Sequence, residues 1–254
     1  MLAIVSSSKT GEQLDKEKQA VAQAAVKYVR SNTLLGLGTG STANYFLSFL
    51  AERIRTAELK IEAVASSLRT ATRAKELGIA VHEPRRGVRV DLTIDGADEI
   101  APDLSLIKGA GGALLREKVV AQASRHFLVI ADSSKRVAQL GRRRVPVEVT
   151  PFAMPWVMDE IEGLGGNPLL RMDESTPDRP YLTDQQNRLL DCDFGLIRDA
   201  HELAAKLKTV AGVVEHGLFL DLATAALVAD GSQIVVLRPQ HPPIPLSQSE
   251  LAFD

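Results

Sequence analysis

Four short apolar runs, at residues 33–37, 61–65, 90–94 and 126–130, alternate with stretches of helical spacing at 15–30, 42–55, 70–77 and 113–124. Strands separated by helices join through right-handed crossovers, so this pattern dictates a mainly parallel sheet. Within 15–30 the helical face is carried by Ala20, Val21, Ala24, Ala25 and Tyr28, and Gly78 closes 70–77 as a C-cap.

From about Arg142 the texture changes. Strands are expected at 145–149, 168–172, 181–183 and 189–194, with a hairpin turn at 184–187. Helices are expected at 151–162, ended by Gly163, and at 199–209. A β-α-β-β-α order resembles a split βαβ sandwich. The expected fold is α/β: a Rossmann-like, open, mainly parallel sheet with helices on both faces, plus a small α+β domain of ferredoxin-like split βαβ type. Residues 142–212 form the small domain, and 1–141 with 213–254 the Rossmann-like one. Residues 213–229 are expected to return to the first sheet, followed by a strand at 233–237. The tail, with Pro239, Pro242, Pro243 and Pro245, reads as irregular or disordered.

Ligands of open α/β sheets bind beyond the carboxyl ends of the strands. Here those ends carry Gly38-Thr-Gly-Ser-Thr-Ala43, Ser66-Ser67, Asp95-Gly-Ala-Asp98 and Ala131-Asp-Ser-Ser-Lys135. Four polar clusters should therefore meet on one rim. The glycine loop fits a dinucleotide fingerprint in form, but Ser66 and Ser67 stand where an acid would hold the ribose. No Lys-Ser/Thr pair makes it a P-loop. What remains is a row of N–H groups at a helix start, with hydroxyls from Thr39, Ser41 and Thr42, suited to a phosphate monoester. The plainer alternative is a tight turn with Ser41 or Thr42 as N-cap.

Asp95-Gly-Ala-Asp-Glu-Ile100 and Lys108-Gly-Ala-Gly-Gly-Ala-Leu-Leu-Arg-Glu-Lys118 place acids and an amine among glycines. That grouping suits proton chemistry on a small ligand, although each residue alone could be a cap or a solvated charge. The five histidines, at 82, 126, 201, 216 and 241, lack ligand spacing, so no metal site is expected; acids holding Mg²⁺ beside a phosphate stay a minor alternative. The Arg142-Arg-Arg144 run reads as a solvated corner at the domain junction.

A net charge of −2 gives no field for nucleic acid or anionic membrane, and no apolar run approaches a membrane span. Residues 1–5 are too short an apolar start for a signal peptide. Cys192 is the only cysteine, in keeping with a cytoplasmic protein.

Taken in order, these motifs and Gly212-Val-Val-Glu-His-Gly-Leu-Phe219 closely resemble ribose-5-phosphate isomerase type A. The likeness runs from about residue 15 to 229. Departures are few: Ala110 stands where the family often has glycine, Gln185-Gln186 replaces a more typical Asn-Gly turn, and the tail is longer. The resemblance implies interconversion of D-ribose 5-phosphate and D-ribulose 5-phosphate through a cis-enediolate, without metal or organic cofactor. It implies Glu117 as carbon base, Asp95 as acid/base for ring opening, Lys108 beside the enediolate oxygen and Asp98 on sugar hydroxyls. Thr39, Gly40, Ser41, Thr42, Gly96, Ala97, Gly109, Ala110, Gly111 and Lys135 would line the substrate, with Lys18 a further phosphate candidate. It also implies a homo-oligomer, dimer or tetramer, with the small domain as a contact surface. Two other classes stay open: a sugar-phosphate sensor, which would need no Glu117–Lys108–Asp95 group, and an amino-sugar-phosphate deaminase or acyl-transfer enzyme.

Overall fold

The structure is a computed structural model that describes residues 9–57, 59–249 and 251–253. Residues 1–5, read above for a signal, lie outside these.

Helix α1 (Gly11–Val26) starts at a reciprocal cap, in which Thr10 accepts from the Gln13 amide and the Gln13 side chain accepts from the Thr10 amide. There follow β1 (Thr33–Leu37), α2 (Ser41–Ala57), β2 (Ile61–Ala65), α3 (Leu68–Glu76) and β3 (Val90–Asp95). The chain continues through β4 (Glu99–Ile100), β5 (Leu106–Ile107), α4 (Leu114–Gln122) and β6 (Ser124–Asp132). A second group comprises β7 (Val145–Val149), α5 (Met154–Gly163), β8 (Asn167–Leu170), β9 (Arg188–Asp193), α6 (Ala200–Thr209) and β10 (Val213–His216). The last elements are β11 (Leu218–Phe219), β12 (Ala225–Asp230), β13 (Gln233–Arg238) and β14 (His241–Pro245).

The large sheet runs β14-β13-β12-β6-β3-β1-β2, parallel from β12 to β2 and antiparallel at the other edge. Side chains alternate between its two faces. Leu92 and Ile94 of β3 and Leu128 and Ile130 of β6 join the core under α1 and α2, with Phe46, Leu47 and Leu50. Phe127 and Val129 of β6 join the opposite core, with Ile100, Leu106 and Phe219. Burial on both faces is why these strands read as unbroken apolar runs. Truncating a side chain such as Phe46, which is fully buried, costs about 3–5 kcal/mol.

The second sheet has the order β10-β7-β9-β8 and is antiparallel throughout. The four strands and two helices follow one another as β-α-β-β-α-β, so β10 is the fourth strand that the split βαβ pattern needs. The expected return to the first sheet at Val213 therefore comes later, because Val213–His216 pairs with β7 and only β12 rejoins β6. No strand forms at 181–183, although the turn at 184–187 is present, with Gln186 in left-handed conformation at φ 63°. The small third sheet, β11-β5-β4, bridges the two groups.

The described part of the proline-rich tail is not irregular, against expectation. Pro242, Pro243 and Pro245 sit in β14, an edge strand, where a missing N–H breaks no ladder on the solvent side, and Pro239 lies in the turn before it. Phe253 is buried, with its ring edge-on to Tyr28 at 5.6 Å and tilted against His126 at 5.3 Å. Two aromatic partners account for the fixed position of a segment whose composition reads as loose.

Candidate active site

Strand order reverses between β1 and β3: the chain steps from β1 to β2 on one side and then crosses to β3 on the other. The crevice at this switch point holds the site. After β1 the chain turns at Gly38 and Gly40. Gly38 is required because any Cβ there would overlap the Asp95 side chain and backbone. Gly40 has φ 113°, and its carbonyl accepts the Asn44 amide, which begins α2. Gly40 thus occupies the place expected of Ser41 or Thr42 as N-cap. The Ser41 and Thr42 hydroxyls, in the first turn, make no hydrogen bond within the described residues and stay available at the positive end of the helix.

Asp95 ends β3 and is almost fully buried. Its Oδ1 accepts from the Thr39 amide at 2.9 Å and the Gly96 amide at 2.7 Å, while Oδ2 lies 3.0 Å from the Lys108 Nζ. Lys108 also donates to the Gly96 carbonyl at 2.6 Å and to Glu117 Oε1 at 2.8 Å, with the Phe219 ring 5.5 Å away. Burial pulls the Lys108 ammonium down, but the Asp95 and Glu117 carboxylates outweigh it and hold its pKa above the ordinary value. Lys108 is a permanent cation here.

Glu117, in the first turn of α4, behaves oppositely. Burial pushes its carboxyl up to about 8, against the pull of Lys108 and with a further push from the Asp95 charge. Its second oxygen, Oε2, is buried without a hydrogen-bond partner among the described residues. A buried lone pair with nothing to accept is unfavourable for folding and suited to taking a proton from a ligand.

Glu117 and Lys108 form the floor of a cleft of about 80 Å³, whose walls are Thr39–Thr42 on one side and Gly96–Asp98 and Gly109–Gly111 on the other, with Lys135 at the mouth. Asp98 keeps one oxygen on the Ala110 amide, at 2.9 Å. The Thr39 hydroxyl is turned away and shared with Ser66, Ser67 and Thr70 at 2.8–3.1 Å. Ser66 and Ser67 therefore brace the loop. Asp95 stands behind Lys108, outside the cleft lining. Lys18 is also outside it, half-buried on α1. Among the described residues no three His, Cys, Asp or Glu side chains are grouped as metal ligands would be.

The cleft opens into a basin of about 860 Å³ that shares Asp98, Ala110, Gly111 and Lys135 with it and is walled by Arg69, Arg142, Arg143, Arg144 and Arg171. The solvated Arg142–Arg144 corner thus borders the entrance, where its charge favours the approach of an anion. Arg171 and Tyr181, from the second group of elements, were not singled out in the sequence. Arg171 donates to the carbonyls of Gly109 at 3.2 Å and Ala110 at 3.0 Å, and Tyr181 fills the space that a side chain at Gly112 would need. Each stands alone in irregular chain tens of residues from any motif, so no local spacing marks it.

Beside the cleft lies a second buried charge group. Lys118 donates to Glu215 Oε1 at 2.7 Å and to the His216 carbonyl at 2.6 Å, and its Nζ lies 4.9 Å from the centre of the Phe219 ring. Lys208 takes the other Glu215 oxygen at 2.7 Å. These contacts fasten α4 to β10, one residue after Glu117.

Comparison with known proteins places this geometry. A family model described as ribose 5-phosphate isomerase A (phosphoriboisomerase A) matches residues 62–233. The ribose-5-phosphate isomerase A of Synechococcus sp. (strain JA-3-3Ab) is 48% identical over 226 residues, covering 88% of this chain and 97% of the relative. That of Roseiflexus castenholzii (strain DSM 13941 / HLO8) is 47% identical, covering 87% and 94%. The solved ribose 5-phosphate isomerase A of Methanocaldococcus jannaschii superposes with a TM-score of 0.84 at 35% identity, over 88% of this chain and 99% of that one. A D-ribose-5-phosphate isomerase solved in complex with phospho-erythronic acid gives a TM-score of 0.86 at 32% identity, over 89% and 99%.

Proposed function

The chain belongs to the ribose 5-phosphate isomerase A family, and we propose that it interconverts D-ribose 5-phosphate and D-ribulose 5-phosphate with Glu117 as the carbon base. The carrying observation is the pairing of a buried, unpartnered Glu117 Oε2 with a fixed cation at Lys108. The phosphate sits at the start of α2 against Ser41, Thr42 and Lys135, which sets the sugar carbons over Glu117. Oε2 takes the proton from C2 as the C1 carbonyl becomes an oxyanion. The Lys108 ammonium stabilises that charge in a dry, low-dielectric floor. The C2 hydroxyl proton then passes to the neighbouring C1 oxygen of the cis-enediolate, which shifts the charge to the C2 oxygen, and the same carboxyl returns its proton to C1, leaving a C1 hydroxyl and the C2 ketone. Asp98 holds sugar hydroxyls through its free oxygen. Both Asp95 oxygens are committed, so its first task is to hold Lys108 and the Gly38–Thr39 turn; ring opening by Asp95 requires it to exchange one partner for substrate.

A phosphorylated erythronic acid carries a carboxylate and a phosphate on one short chain, matching the two charges of an enediolate phosphate. It should compete with ribose 5-phosphate here. The direct test follows ribulose 5-phosphate formed from ribose 5-phosphate; turnover of glucosamine 6-phosphate or a CoA thioester in its place would favour the deaminase or acyl-transfer reading. The reaction needs no membrane, and no helix among the described residues is long and apolar enough to cross one. The cytoplasm is the proposed location. A homo-oligomer is proposed through the small domain, where Phe152 and Trp156 are 82% and 62% exposed and pack ring to ring at 5.7 Å. Sedimentation of the wild type against Trp156→Glu tests it.

A further inference from the structure

We infer that Arg171, held by Asp191, is a positioning residue through which the second sheet sets the geometry of the catalytic floor; the inference rests on the isomerase reading above.

The segment from Lys108 to Glu117 carries the cation at one end and the base at the other. Between them lies Gly109-Ala-Gly-Gly112, a loop without strand or helix, with Gly109 and Gly112 in left-handed conformations at φ 105° and 81°. Such a loop has little intrinsic stiffness, since glycine fixes no φ. Yet the Lys108–Glu117 distance depends on it. The loop is held from three sides. Asp98 accepts the Ala110 amide, and the Gly112 amide closes a turn on the Gly109 carbonyl at 2.9 Å. The third hold crosses from the other sheet. Arg171 Nη1 donates to the Gly109 and Ala110 carbonyls together.

The guanidinium is itself fixed. Nε donates to Asp191 Oδ2 at 2.8 Å, and Nη2 pairs with Asp191 Oδ1, a two-point fork on the central part of β9. Tyr181 lies with its ring 5.9 Å from the guanidinium and its hydroxyl end over Gly112. These side chains are largely shielded, at 16% exposure for Arg171 and 24% for Asp191. A fork held at two points on one residue and spending its third nitrogen on two carbonyls suits orienting a loop; an ammonium could not do both at once. Because neighbouring phosphate contacts come from α2 and Lys135, on the first sheet, loosening the loop should disturb the floor and spare the anchor.

The test compares Arg171→Ala, Arg171→Lys and Asp191→Asn with wild type, in kcat, KM and thermal midpoint. Misplacing reacting groups by about 1 Å costs on the order of a hundredfold in rate. The expected result is kcat lower by about tenfold to a hundredfold in Arg171→Ala, a smaller loss in Asp191→Asn, Arg171→Lys failing to restore wild-type kcat, and KM for ribose 5-phosphate within about threefold throughout. If Arg171→Ala does not fold, Asp191→Asn and Arg171→Lys decide, since both conserve volume. A kcat within twofold of wild type in the folded variants, or a loss confined to KM, overturns the inference. Failure of the wild type to isomerise ribose 5-phosphate would instead overturn the functional reading on which it rests.

Discussion

The Lys108 ammonium lies 2.8 Å from one oxygen of Glu117 and leaves the other, Oε2, buried and unpartnered. One contact fixes the carboxylate's orientation and the missing one keeps it reactive. A base that was fully hydrogen-bonded would have a depressed pKa and little appetite for a carbon-bound proton.

Burial lifts the Glu117 carboxyl to about 8, and only the ionised form can take the C2 proton. Its active fraction therefore grows as pH rises through that value. The profile of log kcat/KM against pH should climb with a slope of about one on the acid side and level off above about pH 8. A profile that climbs through the range of an ordinary carboxylate and is level above it would show that Glu117 titrates unshifted.

Asp95 contributes to that lift by charge repulsion, and Asp98 does so more weakly. Asp95→Asn should therefore move the acid limb to lower pH while reducing kcat, because Lys108 loses one of its two carboxylates. Asp98→Asn should move the limb less and raise KM, since Asp98 lines the cleft and Asp95 does not. Identical profiles for the two variants would mean that the distinction drawn between them is wrong.

Lys135 stands at the cleft mouth without an ion-pair partner among the described residues. Lys135→Ala should raise KM for ribose 5-phosphate by about tenfold to a hundredfold, the worth of one charge-assisted hydrogen bond, and alter unphosphorylated ribose little. Lys18→Ala should have the smaller effect, as Lys18 is outside the lining. Equal losses on both sugars with Lys135→Ala would remove Lys135 from the phosphate site.

Glu215 is pushed up by burial, but Lys118 and Lys208 outweigh this and hold its carboxyl at about 2. A carboxyl lower in the folded than in the unfolded chain adds stability above the unfolded pKa, and that stability is lost as pH falls towards about 2. Glu215→Gln leaves the Lys118 ammonium buried without a carboxylate and with the Lys208 cation nearby. It should cost about 3–5 kcal/mol at neutral pH by chemical denaturation, with a shallower acid loss than wild type. An unchanged denaturation midpoint would make the Lys118–Glu215 pair dispensable.

The alternation of apolar runs and helices was sufficient to foresee the parallel part of the large sheet, because its central strands are buried on both faces and its strands lead into glycine or polar turns. The convergence of Thr39 and Asp95 followed from strand ends, whereas Lys108 and Glu117 were joined to them by their nearness in sequence and by the family resemblance. What escaped the sequence was of two physical kinds. Contacts between distant elements, such as Arg171 on the Gly109 carbonyl, leave no local spacing. Composition also misleads where packing decides, as in the proline-rich β14, which Phe253 and an edge position hold in order. Division of labour within a cluster was equally hidden. Thr39 reads as a ligand hydroxyl in the sequence, yet in the fold its oxygen serves Ser66, Ser67 and Thr70.

The most direct measurement is exchange of the C2 hydrogen of ribose 5-phosphate in D₂O, followed by proton NMR with wild type and Glu117→Gln. If Glu117 moves the proton, the wild type replaces the C2 hydrogen with solvent deuterium as it turns over, and Glu117→Gln loses both exchange and isomerisation by at least a hundredfold, about the smallest contribution expected of a carbon base. Exchange and isomerisation at wild-type rates in Glu117→Gln would contradict the assignment.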